Sequence, residues 1–392
     1  MKSRVIINRE KTFYIILCLY IIQEIFLTRT KISDLLGNTL SDVLVTVLRA
    51  FIIGFALLKL FYFDKLTFKR VVFLGVVFTI LIISTIVSHT TAMFLSVLVI
   101  LCSGGVDFDR IVRVNLYLIL SILVISVLLN LSGFISSATR VRTSLGTTRT
   151  SLGFNHPNTL AMVVFLIVAD YLYLNRSRGV KKLLFPILAT AFSFFFTYSF
   201  TAIVLMTILI AVVFFQTILE RKNQLTKKRL RLIVIIVLIV FVGFILFFWN
   251  NPNLLVNEFR TFRSRFTLSR KYINAYGISL FGHKIAIGSY VYMEGYGFSY
   301  GFLDNGIIRI LVELGIVFFI LFFGLYLNSL RRMIRSRNSI LIIISLVFLV
   351  YSFMEYNPLL LAYNVFLIQV FRSGKEMTIT KENPNRKVIS YG

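Results

Sequence analysis

The chain has 392 residues, of which 58% are hydrophobic and only 15% are charged. With a mean hydropathy of +0.87, this composition excludes an ordinary soluble domain and indicates a protein that lies mostly in lipid. Lys and Arg number 42 against 16 Asp and Glu, so the formal charge is +26. Because the basic residues stand in short clusters between apolar runs, they are typical of loops beside a membrane and disfavour a nucleic-acid-binding surface.

A transmembrane helix needs roughly 20 predominantly apolar residues, and somewhat fewer where flanking residues snorkel. On that basis twelve spans are predicted, which makes the chain an all-α integral membrane protein. In chain order the predicted spans are residues 13–28, 41–61, 71–88, 91–104, 112–131, 157–174, 183–197, 200–219, 232–249, 307–329, 339–356 and 358–371. No small-residue cleavage pattern follows the first span, so it is predicted to be a retained helix and not a signal peptide.

The basic clusters predict how these spans are oriented. With the N-terminus in the cytoplasm, most Lys and Arg residues fall on one side of the membrane, as the positive-inside rule requires. Both termini are therefore predicted to be cytoplasmic. The chain then divides into helices one to nine (1–249), a large extracytoplasmic loop (250–306), helices ten to twelve (307–371) and a cytoplasmic tail (372–392).

Two segments on the predicted outer side are rich in arginine, against that rule. Residues 132–156 hold three arginines and no acidic residue, and residues 250–305 hold four arginines. These arginines are Arg140, Arg142, Arg149, Arg260, Arg263, Arg265 and Arg270. A guanidinium binds phosphate with two parallel hydrogen bonds, so the pattern indicates an anionic ligand. The alternative is contact with lipid headgroups or simple solvation of the loops.

The large loop ends in the run GSYVYMEGYGFSYGFLDN, Gly288–Asn305, which combines glycines with aromatic side chains. Aromatic faces pack against sugar rings, although an amphipathic cap on the membrane surface is the alternative. His89, His156 and His283 are isolated in the sequence, so neither a metal site nor a cofactor motif is predicted. An enzyme built this way would need a substrate that arrives activated, such as a lipid-pyrophosphate sugar, with cationic side chains stabilising the leaving group.

A group of polar residues marks the start of the tenth predicted helix. Asn305, Arg309 and Glu313 are spaced by four and share one helix face, and Asp304 stands just before them. A buried Arg309–Glu313 pair would tolerate the depth of the membrane and direct the preceding residues towards a cavity. Asp304 is the candidate base, and the alternative is that Asp304 or Asn305 only caps the helix.

Three stretches of the chain carry a resemblance to a known family. They are GFNHPNTLA at Gly153–Ala161, preceded by Arg149; RFTLSRKYINAYGISLFGHKIAIGS at Arg265–Ser289; and LDNGIIRILVELGI at Leu303–Ile316. In order and topology they resemble the Wzy-type polysaccharide polymerases and O-antigen ligases. The resemblance extends over about residues 140–330.

The resemblance implies a metal-independent and cofactor-free enzyme with a GT-C-like fold in the bacterial cytoplasmic membrane. Such an enzyme polymerises undecaprenyl-pyrophosphate-linked oligosaccharide repeat units into capsular or exopolysaccharide. Its expected partners are that substrate, membrane lipid, a flippase and a chain-length regulator, and not nucleic acid. The resemblance implies Asp304, Arg265 and Arg270 as catalytic residues. It implies Arg149, Arg142, His156, Asn158, Asn305 and Arg309 as substrate-binding residues.

Departures from the family pattern bear on the alternatives. Many members have Ser-Arg between the seventh and eighth helices, where this chain has Ser199-Phe200. The ligases usually have histidine where this chain has Asp304, so the aspartate resembles the polymerase branch. Ligase-like transfer of glycan to another acceptor is one alternative. An alternative of another class is a flippase or transporter of lipid-linked oligosaccharide, although the two similar halves usual in such proteins are not visible.

Overall fold

The computed structural model describes residues 2–64, 67–142, 147–254 and 260–372. These residues form a helical bundle with two short antiparallel β-hairpins. Of the predicted tail, 372–392, only Arg372 belongs to the described residues, and the rest lies outside them.

The helices follow one another with mostly short connections. In chain order they are α1 Lys2–Ile21, α2 Ser33–Leu36, α3 Asn38–Leu58, α4 Phe68–Ser88, α5 Ala92–Leu101, α6 Phe108–Leu131, α7 Pro157–Leu174, α8 Leu184–Thr197, α9 Phe200–Arg221, α10 Lys227–Asn250, α11 Arg260–Tyr276, α12 Gly306–Arg309, α13 Gly315–Arg335, α14 Ser339–Met354 and α15 Ile368–Phe371. π-helical turns continue α1 (Ile22–Leu27) and α3 (Lys59–Phe63) and join α12 to α13 (Ile310–Leu314). Strand β1 Arg140–Arg142 pairs with β2 Thr147–Arg149, and β3 Gly288–Met293 pairs with β4 Gly297–Gly301.

Eight helices of the described residues are long and apolar enough to cross a membrane. They are Asn38–Phe63, Phe68–Ser88, Phe108–Leu131, Pro157–Leu174, Gly179–Thr197, Phe200–Arg221, Lys227–Asn250 and Gly306–Arg335. Each coincides with a predicted span, so the chain is a multi-pass, all-α membrane protein. The predicted count of twelve is not confirmed. α5 and α14 are shorter apolar helices, and α5 is only about 15 Å long at 1.5 Å per residue.

Side chains at the helix starts explain where several helices begin. Thr67, Asp107 and Thr226 each accept a hydrogen bond from the backbone N–H three residues later, and so cap α4, α6 and α10. His156 caps α7, and Pro157 occupies the first helical position, where a missing N–H has no cost.

The connections gather at the two ends of the bundle. The end that carries residues 132–142, 147–156, 251–254 and 260–305 is called the loop face here. The opposite end, the terminal face, carries the starts of α1, α4, α6, α10 and α14 together with Arg372. A buried carboxylate at the terminal face, that of Asp64, is paired with three basic side chains, those of Arg9, Lys59 and Arg70.

α12 and α13 are two parts of one broken helix, and residues 279–283 of the large loop fill the break. The amide of Ile316 donates to the carbonyl of Ser279 at 3.0 Å, and the amide of His283 donates to the carbonyl of Val312 at 3.0 Å. Part of the predicted outer loop therefore lies within the bundle. Irregular backbone is tolerated at such depth because its polar groups are bonded to protein.

The last predicted span, residues 358–371, is wrong as a helix. Apart from α15 it consists of 3-10 turns, at Asn357–Leu359, Leu361–Tyr363 and Val365–Leu367. Pro358 has no N–H and disfavours a helical residue before it, which explains the irregular start. The amide of Leu361 donates instead to Ser96 Oγ at 2.8 Å. Since every residue from Pro358 to Val370 is buried, this irregular segment is part of the core.

Candidate functional site

The loop face holds a charged group centred on Arg265 of α11. Although α11 is polar in composition, Phe266 and Ser269 on one of its faces are fully buried, and Arg265 on that face is only 9% exposed. Its guanidinium forms ion pairs with Asp304 and with Glu355, the second at 3.6 Å between Nη2 and Oε1. One arginine of α11 thus joins a carboxylate at the end of the large loop to a carboxylate that follows α14.

Asn305, next to Asp304, is the residue that caps α12. Its Oδ1 accepts a hydrogen bond from the amide of Ile308 at 3.2 Å, and its Nδ2 donates to Ser269 Oγ at 3.1 Å. The start of α12 is therefore tied to α11. The carboxylate of Asp304 takes no part in the cap and is available to Arg265.

Arg309, one turn into the same broken helix, makes the predicted pair with Glu313. The distances from Arg309 Nε and Nη2 to the two carboxylate oxygens are 2.8 and 3.3 Å. The guanidinium also lies 4.0 Å from the centre of the Tyr356 ring. This part of the prediction from residue spacing is confirmed, and the pair fixes the start of α12 against the segment that follows α14.

Arg29 lies in the same region but was not among the predicted site residues. It donates to the Tyr363 hydroxyl at 2.8 Å and to Asn357 Oδ1 at 3.4 Å, and its Nη2 is 3.9 Å from the Glu24 carboxylate. Its charge also acts on Glu355. A basic residue directly after an apolar span on the predicted outer side is the signal that would have identified it.

A second group of predicted residues meets at the start of α7. Arg149 donates from Nη2 to Asn158 and from Nε to the carbonyl of Thr197, the second at 2.6 Å. His156 Nδ1 accepts the amide hydrogen of Asn158 at 3.0 Å. Thr197 precedes the Ser199-Phe200 turn, so an arginine does reach that turn, although it comes from β2.

Arg140 of β1 lies between these two groups. Its charge acts on His156 and also on Tyr300 of β4, which in turn feels the charge of Asp304. Arg142 is in the same strand, but its side chain lies outside the described residues.

Arg270 does not lie with Arg265, Asp304 and Glu355. Its guanidinium lies 5.6 Å from the centre of the Trp249 ring, and it forms no ion pair with Asp304 or Glu355. Of the three predicted catalytic residues, the structure therefore brings two together, Arg265 and Asp304.

Burial changes the protonation of the three acid–base groups at the site. Burial raises the pKa of the Glu355 carboxyl to about 7, against the attraction of Arg265 and with the help of the neighbouring Asp304. Burial also raises the pKa of Asp304, and Arg265 opposes that shift. The pKa of His156 falls to about 4, because of burial and then of Arg140 and Arg149. His156 is therefore neutral near pH 7 and can offer a ligand a hydrogen bond but no charge.

An apolar groove, called the lateral groove here, runs between α9, α10 and α14 and ends beside this group. Its loop-face part has a volume of about 380 Å³ and is lined by Phe262, Phe353 and Met354 among others. Because Glu355 follows Met354 in the chain, a hydrocarbon-lined path ends next to the paired carboxylates.

Within the described ranges, no group of three or more His, Cys, Asp or Glu side chains could hold a metal ion. The chain matches no protein-family model, no curated protein and no solved structure. What the site can do is therefore argued from its own side chains.

Proposed function

We propose that the chain is a glycosyltransferase that polymerises undecaprenyl-pyrophosphate-linked oligosaccharide repeat units at its loop face, on the outer side of the bacterial cytoplasmic membrane. The observation that carries the proposal is Arg265, held between Asp304 and Glu355 at the end of a hydrocarbon-lined groove. This arrangement offers a cation for a leaving phosphate, a carboxylate for a proton and a path for a lipid tail. The resemblance of three stretches to the Wzy-type polymerases supports the same reaction.

In the proposed reaction a hydroxyl of the acceptor repeat unit attacks the anomeric carbon of the donor glycan. The new glycosidic C–O bond forms while the C–O bond to the pyrophosphate breaks, and the bonding electrons leave with undecaprenyl pyrophosphate. The proton of the hydroxyl passes to Asp304. Negative charge grows on the leaving group, so cations already in place there lower the barrier most.

Arg265 has hydrogen-bond donors to offer such a leaving group. Its Nε is buried and has no hydrogen-bond partner among the described residues. Near pH 7 the Glu355 carboxyl is protonated in part, and the neutral form releases the guanidinium. In the proposed mechanism a phosphate then binds Arg265 with two hydrogen bonds, and Asp304 turns to the acceptor hydroxyl.

The group at the start of α7 is proposed to hold the glycan and its diphosphate. Arg149 supplies charge, while Asn158 and the neutral His156 supply hydrogen bonds. Asn305 positions the base beside it by fixing the start of α12. Arg142 stays a proposed substrate-binding residue on the sequence alone, as one of the arginines of the outer segment 132–156.

A transporter of lipid-linked oligosaccharide is the second candidate, because the broken helix α12–α13 is a device that transporters use to bind their cargo. Transporters leave the backbone groups at such a break free for the ligand. Here the amides of Ile316 and Val317 are bonded to the carbonyls of Ser279 and Leu280, and the carbonyl of Leu314 accepts from Ser84 Oγ. Because these backbone groups are already bonded within the protein, the break favours the polymerase over the transporter.

The proposal is tested by reconstituting the purified protein into vesicles with its lipid-linked repeat unit. The expected product is a ladder of longer lipid-linked glycans together with released undecaprenyl pyrophosphate. Arg265→Ala should slow the ladder about 10²- to 10³-fold, the usual loss when one donor to a developing oxyanion is removed. Arg265→Lys should restore only part, because it keeps the charge without the planar fork.

Arg270→Ala is the matched comparison, since Arg270 lies on the same helix but over Trp249. If Arg270→Ala slowed polymerisation as much as Arg265→Ala does, the proposed composition of the site would be wrong. In cells, Arg265→Ala should leave single repeat units where an added glycosidase can reach them on the outer leaflet. Accumulation of single repeat units on the inner leaflet would contradict the polymerase proposal and support the transporter.

A further inference from the structure

Arg29, to which the proposed reaction assigns no role, lies between the group at the start of α7 and the group around Arg265. Its backbone is joined to the first of these groups. The amide of Asn155 donates to the Arg29 carbonyl at 2.9 Å, and Thr30 and Phe154 form an isolated β-bridge beside that bond. Since the next residue after Asn155 is the cap of α7, the position of Arg29 is fixed to the start of that helix.

The side chain of Arg29 extends to the second group. Its Nη2 is 3.4 Å from Oδ1 of Asn357, two residues after Glu355. The charge of Arg29 acts on Glu355 and also on Arg309, and Glu355 is paired with Arg265. One guanidinium therefore lies between the residues proposed to hold the glycan diphosphate and the arginine proposed to bind the leaving group.

The guanidinium of Arg29 is oriented through its Nε. This nitrogen donates to the Tyr363 hydroxyl at 2.8 Å, and the hydroxyl donates to the carbonyl of Glu24 at 3.3 Å. Tyr363 is fully buried, so the irregular segment after α14 is the support. Nη1 of Arg29 forms no hydrogen bond with the described residues, and 37% of the side chain is exposed. The terminal edge of a fixed guanidinium is thus accessible to a ligand.

A structural role in which Arg29 only neutralises Glu24 explains less of this geometry. The carboxylate of Glu24 is 3.9 Å from Nη2, beyond hydrogen-bond distance. That carboxylate also accepts from Gln23 Nε2 at 3.5 Å and is acted on by the charge of Arg49. The closest partner of Arg29 is a neutral hydroxyl. Its positive charge is therefore not cancelled by a carboxylate in direct contact, and it can attract an anion.

We propose that Arg29 is a further substrate-binding residue, which binds the diphosphate of the lipid-linked donor together with Arg265. This inference rests on the proposed function. Two guanidiniums beside the Glu355 carboxyl suit two linked phosphate groups. Negative charge grows on the phosphate that leaves the anomeric carbon, and Arg265 binds that phosphate. Arg29 binds the other phosphate, whose charge changes little in the reaction, so it contributes to binding of the donor and not to the barrier.

The test measures binding without turnover, by adding undecaprenyl pyrophosphate or undecaprenyl phosphate to the full-length protein in phosphatidylcholine nanodiscs. The wild type should bind the pyrophosphate more tightly. Arg29→Gln should weaken pyrophosphate binding about tenfold, as expected for loss of one charge-assisted hydrogen bond, and remove most of the preference. Arg29→Lys should restore part of it. Lys31→Gln removes the same charge two residues further on, where it does not act on Glu355, and should bind like the wild type.

Kinetics supply a second measurement that a structural role would not produce. With the lipid-linked repeat unit as donor, Arg29→Gln should raise KM about tenfold and leave kcat nearly unchanged, because uniform binding is lost. Arg265→Ala should lower kcat instead. A fall in kcat for Arg29→Gln as large as that for Arg265→Ala would contradict the assignment of Arg29 to binding.

The double variant Glu24→Gln with Arg29→Gln separates ligand binding from neutralisation of Glu24. It leaves no unpaired carboxylate at position 24, so its melting temperature should be close to that of the wild type. Its pyrophosphate binding should stay as weak as that of Arg29→Gln alone. Recovery of wild-type binding in the double variant would mean that Arg29 serves only to neutralise Glu24, and would overturn the proposal.

The remaining outcomes separate this inference from the proposed function. If Arg265→Ala weakens pyrophosphate binding and Arg29→Gln does not, only the role of Arg29 is wrong. If neither variant weakens binding, the proposed phosphate site is wrong as a whole. Binding that depends on Arg29 without any polymer formation would contradict the transferase and support the diphosphate site. Displacement of bound undecaprenyl pyrophosphate by excess phosphatidylglycerol would show that Arg29 holds ordinary lipid headgroups, and would overturn the proposal.

Discussion

Asp304 and Asn305 are neighbours in the chain with different tasks in the structure. Asn305 caps α12 and bonds to Ser269 of α11, while Asp304 pairs with Arg265. A change at position 304 therefore alters the carboxylate without removing the helix cap. This separation makes Asp304 a clean test of the proposed base.

Asp304→Asn is expected to lower turnover about 10²- to 10⁴-fold, the usual contribution of a general base. The shape of the side chain and the cap of α12 are kept, so the melting temperature should change little. Glu294→Gln, an exposed change between β3 and β4 in the same loop, is the control and should be near normal. Near-normal polymer formation by Asp304→Asn at normal protein level would remove Asp304 from the mechanism.

The raised pKa of the Glu355 carboxyl predicts how binding of the lipid-linked donor depends on pH. Its raised pKa of about 7 means that the carboxyl is neutral below that pH and negative above it. The negative form competes with the pyrophosphate for Arg265 and repels it, so KM for the lipid-linked donor should rise as the pH passes 7. Glu355→Gln resembles the neutral form and should give a KM that stays flat across the same range. A KM that still rises above pH 7 in Glu355→Gln would disprove this role.

Residue spacing predicts only those contacts that lie close together along the chain. Arg309 and Glu313 are four apart on one helix, so their pair is predictable from the sequence. Arg265 and Asp304 are 39 residues apart and Arg29 and Asn357 are 328 apart. No periodicity relates such residues, because only the packing of the whole bundle brings them together. The position of Asp304 just before the Arg309 helix face predicts Asp304, and the resemblance implies Arg265, but neither argument identifies Arg29.

At the scale of single elements, the broken helix α12–α13 shows what an apolar run cannot reveal. Gly306–Arg335 contains a strongly apolar stretch of the length of one span, so the sequence predicts one span but not the break within it. The break depends on Gly315, with φ 86°, and on Gly282 of the inserted loop, with φ 90°. A Cβ on either glycine would overlap backbone of the other segment. The two glycines are 33 residues apart in the sequence, and neither of them indicates a break by itself.

Gly282→Ala is therefore expected to be much more damaging than Gly277→Ala. Both glycines have positive φ, 90° and 73°, where an L side chain costs roughly 1–2 kcal/mol. Gly277 has open space around a Cβ, but at Gly282 the Cβ would overlap the carbonyl of Glu313. Gly277→Ala should lower the melting temperature of the purified protein by a few degrees, and Gly282→Ala should lower it further and reduce activity. Equal melting temperatures for the two variants would mean that the inserted loop is not packed as described.

The final segment shows a similar limit of prediction. Residues 358–371 are apolar enough to resemble a span, and Pro358 is the one local signal against a regular helix there. In this buried segment Ser96 accepts a hydrogen bond from the amide of Leu361, and Asn364 donates to the carbonyl of Pro358. The bond to Ser96 joins distant parts of the chain and cannot be predicted from an apolar run.

At the scale of the whole molecule, the two faces of the bundle agree with the predicted alternation of the spans. The clusters of basic residues at 176–182, 221–231 and 331–337 lie at the terminal face, as does the buried Asp64 with its three basic partners. The proposed reaction lies at the other end. Hydropathy and charge predict this division because both follow from the cost of placing charge in lipid, whichever way the helices pack.

The proposed function depends most on the predicted orientation of the protein, with the loop face on the outer side of the membrane. Asn253 is exposed at the loop face and Gln224 is exposed at the terminal face, between α9 and α10. In a chain without its native cysteines, Asn253→Cys should react with a membrane-impermeant thiol reagent in right-side-out vesicles. Gln224→Cys should react only after the vesicles are opened, because the positive-inside rule keeps the basic α9–α10 connection in the cytoplasm. Labelling of Gln224→Cys alone in sealed vesicles would mean that the orientation is opposite to the predicted one. An enzyme site at the loop face would then face the cytoplasm and could not reach lipid-linked repeat units on the outer side.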